Sequence, residues 1–227
     1  MKIVFFGDSL TWGGYGGNFV DEVAKRLPDH EIINAGEGGN TVINLTRRLE
    51  RDVLSHQPDG VFLMVGGNDS TSYSQPQTRI YYEQVQKLDG GYVSPLQFAQ
   101  HYRDLLNRLL LEHIQIWIGL QPKEHNPDTV RAMREYNDIA RDIARSLSIP
   151  VLDLDARLSP ENPEDVPPRS PLNLATINLI GKRISQKWND YETERQKGGY
   201  TYSFDGIHFT PETAVRVAEW IVQFLDL

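Results

Sequence analysis

The chain has 227 residues, no cysteine and a formal net charge of −8 at pH 7. Without cysteine there is no disulfide, thiolate nucleophile or cysteine-based zinc site, so any nucleophile must be an oxygen or a nitrogen. The acidic balance disfavours the basic surface needed to bind phosphate backbones, and we therefore expect no nucleic-acid partner. The length suits one large domain, and we predict a single domain over residues 1–227.

The N-terminal apolar run, Ile3–Phe6, is far too short for a signal-peptide core or a membrane span, and Gly7 and Asp8 end it. We therefore predict a cytoplasmic protein without an integral membrane segment. A chain whose leader had been trimmed away would show the same pattern. The sequence gives no prediction of the oligomeric state.

Short β-rich runs alternate with longer stretches of helical period along the chain. This alternation predicts a parallel sheet covered by helices on both faces. We expect a three-layer α/β/α fold with a doubly wound, flavodoxin-like sheet of about five parallel strands in the order 2-1-3-4-5. The predicted strands are Lys2–Phe6, Glu31–Asn34, Val61–Val65, Gln115–Leu120 and Pro150–Leu154.

Helices are predicted between the strands from apolar spacing and from start signals. Apolar residues recur at helical spacing within Phe19–Leu27 and Val42–Val53. Ser94 and Asn126 each stand before a proline, which is typical of a cap followed by the first helical residue. A last helix is predicted to begin at Thr210. The residues on its expected buried face are Ala214, Val217, Ala218 and Ile221.

Two segments, at about 70–93 and 155–204, break the alternation because they are polar and rich in turn residues. We assign both to insertions over the edge of the sheet. Seven of the ten tyrosines lie in the two segments, at positions 73, 81, 82, 92, 191, 200 and 202. These tyrosine side chains could form a pocket rim with apolar faces and hydroxyl groups, or they could anchor long loops to the body.

Three loops that follow predicted strands carry unusual sequences, and the expected strand order brings these loops together. Ligands of an open parallel sheet bind outside the carboxyl ends of the strands, where the strand order reverses. Strand one would lie between strands two and three, so the loops that leave these three strands converge.

Each of these loops offers one candidate for chemistry and also has an ordinary structural explanation. After strand one, Ser9 lies where the chain turns from strand to helix, either as a nucleophile or as a helix cap. After strand two, Gly39 could present its N–H to a negative oxygen or simply form a turn before the next helix. After strand three, Asn68 could aim its side-chain amide at the same point or cap the loop.

A candidate acid–base pair, Asp205 and His208, stands directly before the last predicted helix. Helices in this architecture run antiparallel to their strands, so this helix should start at the edge that carries Ser9. The carboxylate could accept the Nδ1–H of the imidazole, which leaves Nε2 to act as a base towards the serine. A local contact beside the helix is the structural alternative. A metal site is less favoured because no second ligand stands nearby.

Taken together, the four segments resemble the SGNH hydrolases, also called the GDSL esterase and lipase family. The resemblance implies that Ser9 is the nucleophile, that His208 and Asp205 complete the triad, and that Ser9 N–H, Gly39 N–H and the Asn68 amide form an oxyanion hole. It also implies ester or sometimes thioester hydrolysis without metal or cofactor. The matching segments, in the order of the family, are Gly7–Leu10, Asn34–Gly39, Gly66–Asp69 and Asp205–His208.

We therefore expect a serine hydrolase that cleaves carboxylic esters of small molecules through an acyl-enzyme intermediate. Polar and aromatic insertions, rather than an apolar channel, favour short acyl groups such as acetyl or a sugar alcohol portion. One alternative is a thioesterase or lysophospholipase that acts on longer acyl chains. Another is a ligand-binding module that has lost turnover, although such a module should lack one of Ser9, Asp205 or His208.

Overall fold

A sheet of five parallel strands forms the centre of the molecule in the computed structural model, which describes residues 1–169 and 190–227. The strand order is β2-β1-β3-β4-β5, which confirms the predicted order. The predicted strand bounds agree with the observed ones to within two residues at each end. These bounds are β1 (Lys2–Gly7), β2 (Glu31–Gly36), β3 (Gly60–Met64), β4 (Gln115–Leu120) and β5 (Val151–Asp153).

Helices connect the strands and cover the sheet. None of those in the described residues is long and apolar enough to cross a membrane. Their bounds are α1 (Ser9–Trp12), α2 (Phe19–Arg26), α3 (Val42–Asp52), α4 (Gly67–Ser74), α5 (Arg79–Gln84), α6 (Pro95–Leu111), α7 (Pro127–Ser146), α8 (Asp155–Leu158), α9 (Tyr191–Gly198) and α10 (Pro211–Leu225). Short 3₁₀ turns lie at Leu54–His56, Pro76–Thr78, Asp89–Gly91 and Pro163–Asp165.

The continuous apolar run of β1 is explained by burial on both faces of the sheet. Val4 and Phe6 belong to a core with α3, α6 and α7, whereas Ile3 and Phe5 belong to a second core with α2 and α10. Alternate side chains of a strand point to opposite faces, so one strand supplies both cores. The result is the predicted three-layer arrangement.

Of the residues predicted to start helices, Ser94 and Thr210 cap them with their side chains and Asn126 does not. Ser94 forms a reciprocal capping box with Gln97, and Thr210 accepts a hydrogen bond from Thr213 N at the start of α10. Asn126 makes no side-chain cap, although α7 does begin at the following proline. Its backbone has φ +52°, and its carboxamide bonds the main chain of Arg169 instead. The predicted inner face of α10 is buried.

The first polar segment, at 70–93, is largely helical although it has little apolar periodicity. Ser70, Thr71 and Ser72 of α4 are buried. The hydroxyl groups of Thr71 and Ser74 donate to the carbonyl oxygens of residues four positions earlier, Gly67 and Ser70. A polar helix can be buried when it satisfies its own hydroxyl groups in this way.

The second polar segment, at 155–204, begins with α8 and contains α9 near its end. Residues 170–189 of this predicted insertion lie outside the described residues. The segment ends at Phe204, immediately before Asp205 and His208, the predicted aspartate partner and histidine base.

Candidate active site

A cavity of about 540 Å³ lies at the edge of the sheet where the carboxyl ends of the strands meet. Ser9, Gly39, Asn68 and His208 all line this cavity. They come from the loops after β1, β2 and β3 and from the turn before α10. The convergence of these loops, predicted from strand order, is therefore present in the folded chain.

Ser9 is the first residue of α1 and follows β1 after a single residue. The preceding residue, Asp8, fixes this turn because its carboxylate accepts a hydrogen bond from Leu10 N at 3.0 Å. Gly7 makes the tight approach possible, since a Cβ there would lie 2.4 Å from the carbonyl oxygen of Met64. The hydroxyl oxygen of Ser9 lies 3.0 Å from Nε2 of His208.

The turn 205–208 holds the imidazole through the Asp205 carboxylate. One carboxylate oxygen accepts hydrogen bonds from His208 N at 2.7 Å and Ile207 N at 3.0 Å, and the other lies 2.7 Å from Nδ1 of His208. Burial acts to raise the pKa of Asp205, but the neighbouring His208 and Arg169 outweigh it and hold that pKa well below its ordinary value. The carboxylate is therefore ionised at neutral pH.

Two aromatic rings flank the imidazole of His208. Phe204 stacks on it with ring centroids 6.1 Å apart, and Tyr15 meets it edge-on at 5.8 Å. Tyr15 also lines the cavity. These contacts restrict the imidazole to the plane in which its two nitrogens face Ser9 and Asp205.

Asn68 is held by hydrogen bonds at both ends of its carboxamide. Its Nδ2 donates to Asn40 O at 3.0 Å and to Asp8 Oδ2 at 3.3 Å, and its Oδ1 accepts from the Tyr82 hydroxyl at 2.9 Å. The amide nitrogen is thereby oriented towards the loops that contain Ser9 and Gly39. Tyr82 belongs to the first polar segment and lines the same cavity.

Gly39 occupies a position that no other residue type would fill without strain. Its φ is +79°, in the left-handed region. A Cβ at this position would lie 2.3 Å from the Tyr81 hydroxyl oxygen and 2.4 Å from Gln86 Nε2. Because Gly39 has no side chain, its main chain can line the cavity directly.

The loop after β4, for which the sequence predicted no role, connects the parts of the site. Gln121 accepts a hydrogen bond from Gly67 N at 2.6 Å and donates one to Asp8 Oδ2 at 2.9 Å. It thereby ties the loop that contains Asn68 to the loop that contains Ser9. Burial raises the pKa of Asp8, against the opposing effect of its hydrogen bonds.

Glu124 and His125 attach the turn 205–208 to the same loop. The Glu124 carboxylate accepts hydrogen bonds from the backbone N–H groups of residues 201–203 and from the Thr201 hydroxyl, at 2.7 to 3.1 Å. His125 Nδ1 lies 2.9 Å from Gly206 O. Burial, with Lys123 and Arg169 nearby, lowers the pKa of His125 to about 3, so the ring is neutral and donates from Nδ1. In the sequence, the feature that could have identified this loop is its run of polar residues directly after a predicted strand.

The tyrosines of the two polar segments divide between the two predicted roles. Tyr81 and Tyr82 line the cavity. Tyr202 is buried in the core, while Tyr73 and Tyr92 pack against each other with centroids 6.1 Å apart. In the described parts of the chain, no group of three or more His, Asp or Glu side chains could hold a metal ion.

The model of the GDSL-like lipase/acylhydrolase family matches residues 5–214. An acetylxylan esterase from Geobacillus stearothermophilus is 35% identical over an alignment of 86 residues, and the match covers 30% of this chain and 39% of that protein. An uncharacterized lipoprotein, YqeF, from Bacillus subtilis (strain 168) is 25% identical over 142 residues, 54% of each chain. The matched regions thus span less than two thirds of either relative.

Solved structures share the fold over nearly the whole chain. A crystal structure of an acetylxylan esterase from Geobacillus stearothermophilus has a TM-score of 0.67 and 19% identity, and it covers 100% of this chain and 94% of the other. Another acetyl xylan esterase structure, AlAXEase, has a TM-score of 0.65 and 20% identity, with 98% of both chains covered. The family match confirms the resemblance carried by the four motifs, and the chain belongs to the GDSL-like lipase/acylhydrolase family of ester hydrolases.

Proposed function

We propose that this chain hydrolyses carboxylic esters with Ser9 as nucleophile, His208 as general base and acid, and Asp205 as the partner of the histidine. The observation that carries the proposal is the continuous line of contacts from Ser9 Oγ to His208 Nε2 at 3.0 Å and from His208 Nδ1 to Asp205 at 2.7 Å. Membership of an ester-hydrolase family supports it.

In the first step, the Ser9 hydroxyl oxygen attacks the ester carbonyl while His208 Nε2 takes its proton. Asp205 stabilises the imidazolium that forms and keeps its own charge. The negative oxygen of the tetrahedral intermediate is stabilised by Ser9 N–H, Gly39 N–H and the Asn68 amide. Loss of one such donor typically costs about 2.7–4 kcal/mol of transition-state stabilisation.

The intermediate then collapses, and His208 returns the proton to the departing alkoxide. The alcohol leaves and Ser9 carries the acyl group. A water molecule is deprotonated by His208 and attacks this ester, and the acid leaves by the same route in reverse. Proton transfer at both stages requires only the single nitrogen that faces Ser9.

We further propose that the acyl group is short, acetyl in particular, and that the alcohol portion is a sugar. The aromatic rings on the cavity wall support this proposal, since Trp12 is 41% exposed and Tyr81 39% exposed. Flat aromatic faces beside hydroxyl groups suit a molecule with both apolar and polar surfaces. One relative and two similar structures are named as acetylxylan esterases.

A fluorophosphonate probe tests the proposed nucleophile. We expect the probe to label the wild-type protein and Ser55→Ala, whose hydroxyl is exposed and remote in sequence, but not Ser9→Ala. Labelling that persists in Ser9→Ala would contradict the assignment. Rates with p-nitrophenyl acetate, butyrate and palmitate test the acyl length, and a preference for palmitate would overturn the short-acyl proposal.

A single domain over residues 1–227 is also a proposal, and it is supported by the site itself, which joins Ser9 near one end of the chain to His208 near the other. The cytoplasmic location and the absence of a nucleic-acid partner stay predictions. One relative of the chain carries the name lipoprotein.

A further inference from the structure

Lys123 is a buried cation in the wall of the cavity, and the mechanism above does not use it. Its side chain is 3% exposed, and the residue lines the same cavity as Ser9 and His208. No Asp or Glu within the described ranges forms an ion pair with its Nζ. Residues 170–189 contain neither Asp nor Glu, so they offer no carboxylate either.

The contacts of the Lys123 ammonium are poor for a buried charge. Its Nζ reaches Gly67 O and Thr71 Oγ1, each at 3.4 Å. Hydrogen bonds from an N–H donor to an oxygen acceptor are normally about 2.7–3.2 Å long. Gly67 O already accepts from the hydroxyl groups of Thr71 at 2.7 Å and Ser70 at 3.1 Å. Gly67 O in α4 therefore does not need the ammonium as a hydrogen-bond donor.

The charges around Lys123 neutralise it only in part. Burial lowers its pKa to about 8, Asp8 and Asp205 oppose this shift, and Arg169 adds to it. At pH 7 the ammonium form still predominates. A buried charge of this kind destabilises the folded state, and an apolar side chain of similar size would be more favourable for folding alone. The residue therefore fits a binding role better than a packing role.

We infer that Lys123 binds a carboxylate carried by the ester substrate, so that the natural substrate of this site is an anionic ester. The inference rests on the proposed function and deepens it. A single ammonium beside the Thr71 hydroxyl matches a group of one negative charge, whereas a phosphate dianion calls for more donors. Since the proposed acyl group is acetyl, we assign the carboxylate to the alcohol portion, and an acyl portion that carries it is tested separately.

Matched pairs of esters test the inference. In the acyl arm, mono-4-nitrophenyl succinate is compared with its methyl ester, and in the alcohol arm 4-acetoxybenzoate is compared with its methyl ester. The readout is the ratio of kcat/KM for the anionic member to that for the neutral member. Comparing this ratio between protein variants cancels the intrinsic reactivity of each ester.

We expect Lys123→Met to lower the ratio at least 10-fold in one arm, and that arm identifies the portion that carries the carboxylate. Lys123→Arg should retain part of the ratio, and Lys87→Met, at an exposed lysine, should leave it as in the wild type. Lys123→Gln gives the same readout if the methionine variant shows no cooperative thermal unfolding. A ratio within twofold of the wild type in both arms overturns the inference.

A binding measurement separates this inference from the proposed function. If the wild-type protein hydrolyses none of the four esters, the proposed function fails, and calorimetric titration of the Ser9→Ala protein with the two anionic esters decides the inference. Affinity that exceeds that for the methyl esters and is lost in the Ser9→Ala, Lys123→Met double variant upholds the carboxylate site. Equal affinity in the two proteins overturns it.

Discussion

The proposed nucleophile and its proposed base are held in place by different kinds of structure. Ser9 begins α1 directly after β1, so the main-chain hydrogen bonds of the sheet and helix fix its position. His208 lies in a turn outside the sheet, and the side chains of Glu124 and His125 attach this turn to the loop after β4. The position of the serine is therefore encoded locally, whereas that of the histidine depends on distant side chains.

This difference predicts how substitutions act in two regions. The serine side consists of the segments that follow β1, β2 and β3, and the histidine side consists of the turn 205–208 and the loop after β4 that holds it. The serine side shares its hydrogen bonds with the sheet and its two cores, so substitutions there should affect folding as well as activity. The histidine side depends on a few buried polar contacts, and their loss should affect catalysis more than folding.

The largest effect is expected from Asp205→Asn, which separates the charge of this residue from its position. Asparagine can still accept hydrogen bonds from Ile207 N and His208 N through one oxygen, but its amide cannot accept the Nδ1–H of His208. We expect kcat to fall by about 10³–10⁴ with little change in melting temperature, as for an orienting carboxylate in a serine triad. Steady-state kinetics and thermal unfolding measure the two effects, and a fall below tenfold would contradict the assigned role.

On the serine side, Asp69→Asn should change the pH dependence of stability. Asp69 is fully buried and accepts hydrogen bonds from Val42 N at 3.0 and 3.3 Å, which ties the loop after β3 to the start of α3. Burial raises its pKa to about 8, with Asp8 adding to the shift. Since the folded pKa exceeds the unfolded one, the stabilising contribution is complete below pH about 4 and is lost as the pH rises through about 8.

The free energy of unfolding of the wild-type protein should therefore fall relative to that of Asp69→Asn between pH 5 and 9. The expected change is a few kcal/mol, because one pKa unit corresponds to about 1.4 kcal/mol. Denaturant unfolding at several pH values measures it. Asp29→Asn, at an exposed position, is the matched control and should follow the wild type. Parallel curves for all three proteins would show that Asp69 titrates normally.

On the histidine side, Glu124→Ala removes the acceptor for three backbone N–H groups and one hydroxyl. The turn that carries His208 should then be poorly positioned, and we expect kcat to fall by about 10²-fold, as when a catalytic group is displaced by about 1 Å. Glu83→Ala at an exposed position serves as the control. If Glu124→Ala loses stability in proportion to activity, the proposed contrast between the two sides is wrong.

The smallest effect is expected from Tyr82→Phe, which removes the hydroxyl that donates to Asn68 Oδ1 at 2.9 Å. Asn68 keeps its contacts with Asn40 and Asp8, so the amide is loosened rather than lost. We expect a loss of about 3- to 10-fold in kcat, corresponding to a net hydrogen bond of about 1 kcal/mol. KM should change little, and a change in KM alone would indicate a role in substrate binding instead.

The sheet was predictable because its three central strands, β1, β3 and β4, are apolar runs buried on both faces, with glycine or proline near their ends. The predicted strand order was then sufficient to place Ser9, Gly39 and Asn68 at one edge of the sheet. Helix α4 was not predictable from apolar spacing, since its buried hydroxyl groups bond its own backbone. Neither was the role of Glu124, because its partners at 201–203 adopt their positions only in the folded chain.

The separation of 199 residues between Ser9 and His208 has a consequence for the way the polypeptide is made. The first strands leave the ribosome long before the base does, and α10 can pack against α2 only after the residues between them have been made. Under the proposed mechanism, a nascent chain carries a serine that lacks its base and stays chemically inert. Hydrolytic activity would then appear only once the turn 205–208 and α10 have docked, so that enzyme assays would report this docking step directly.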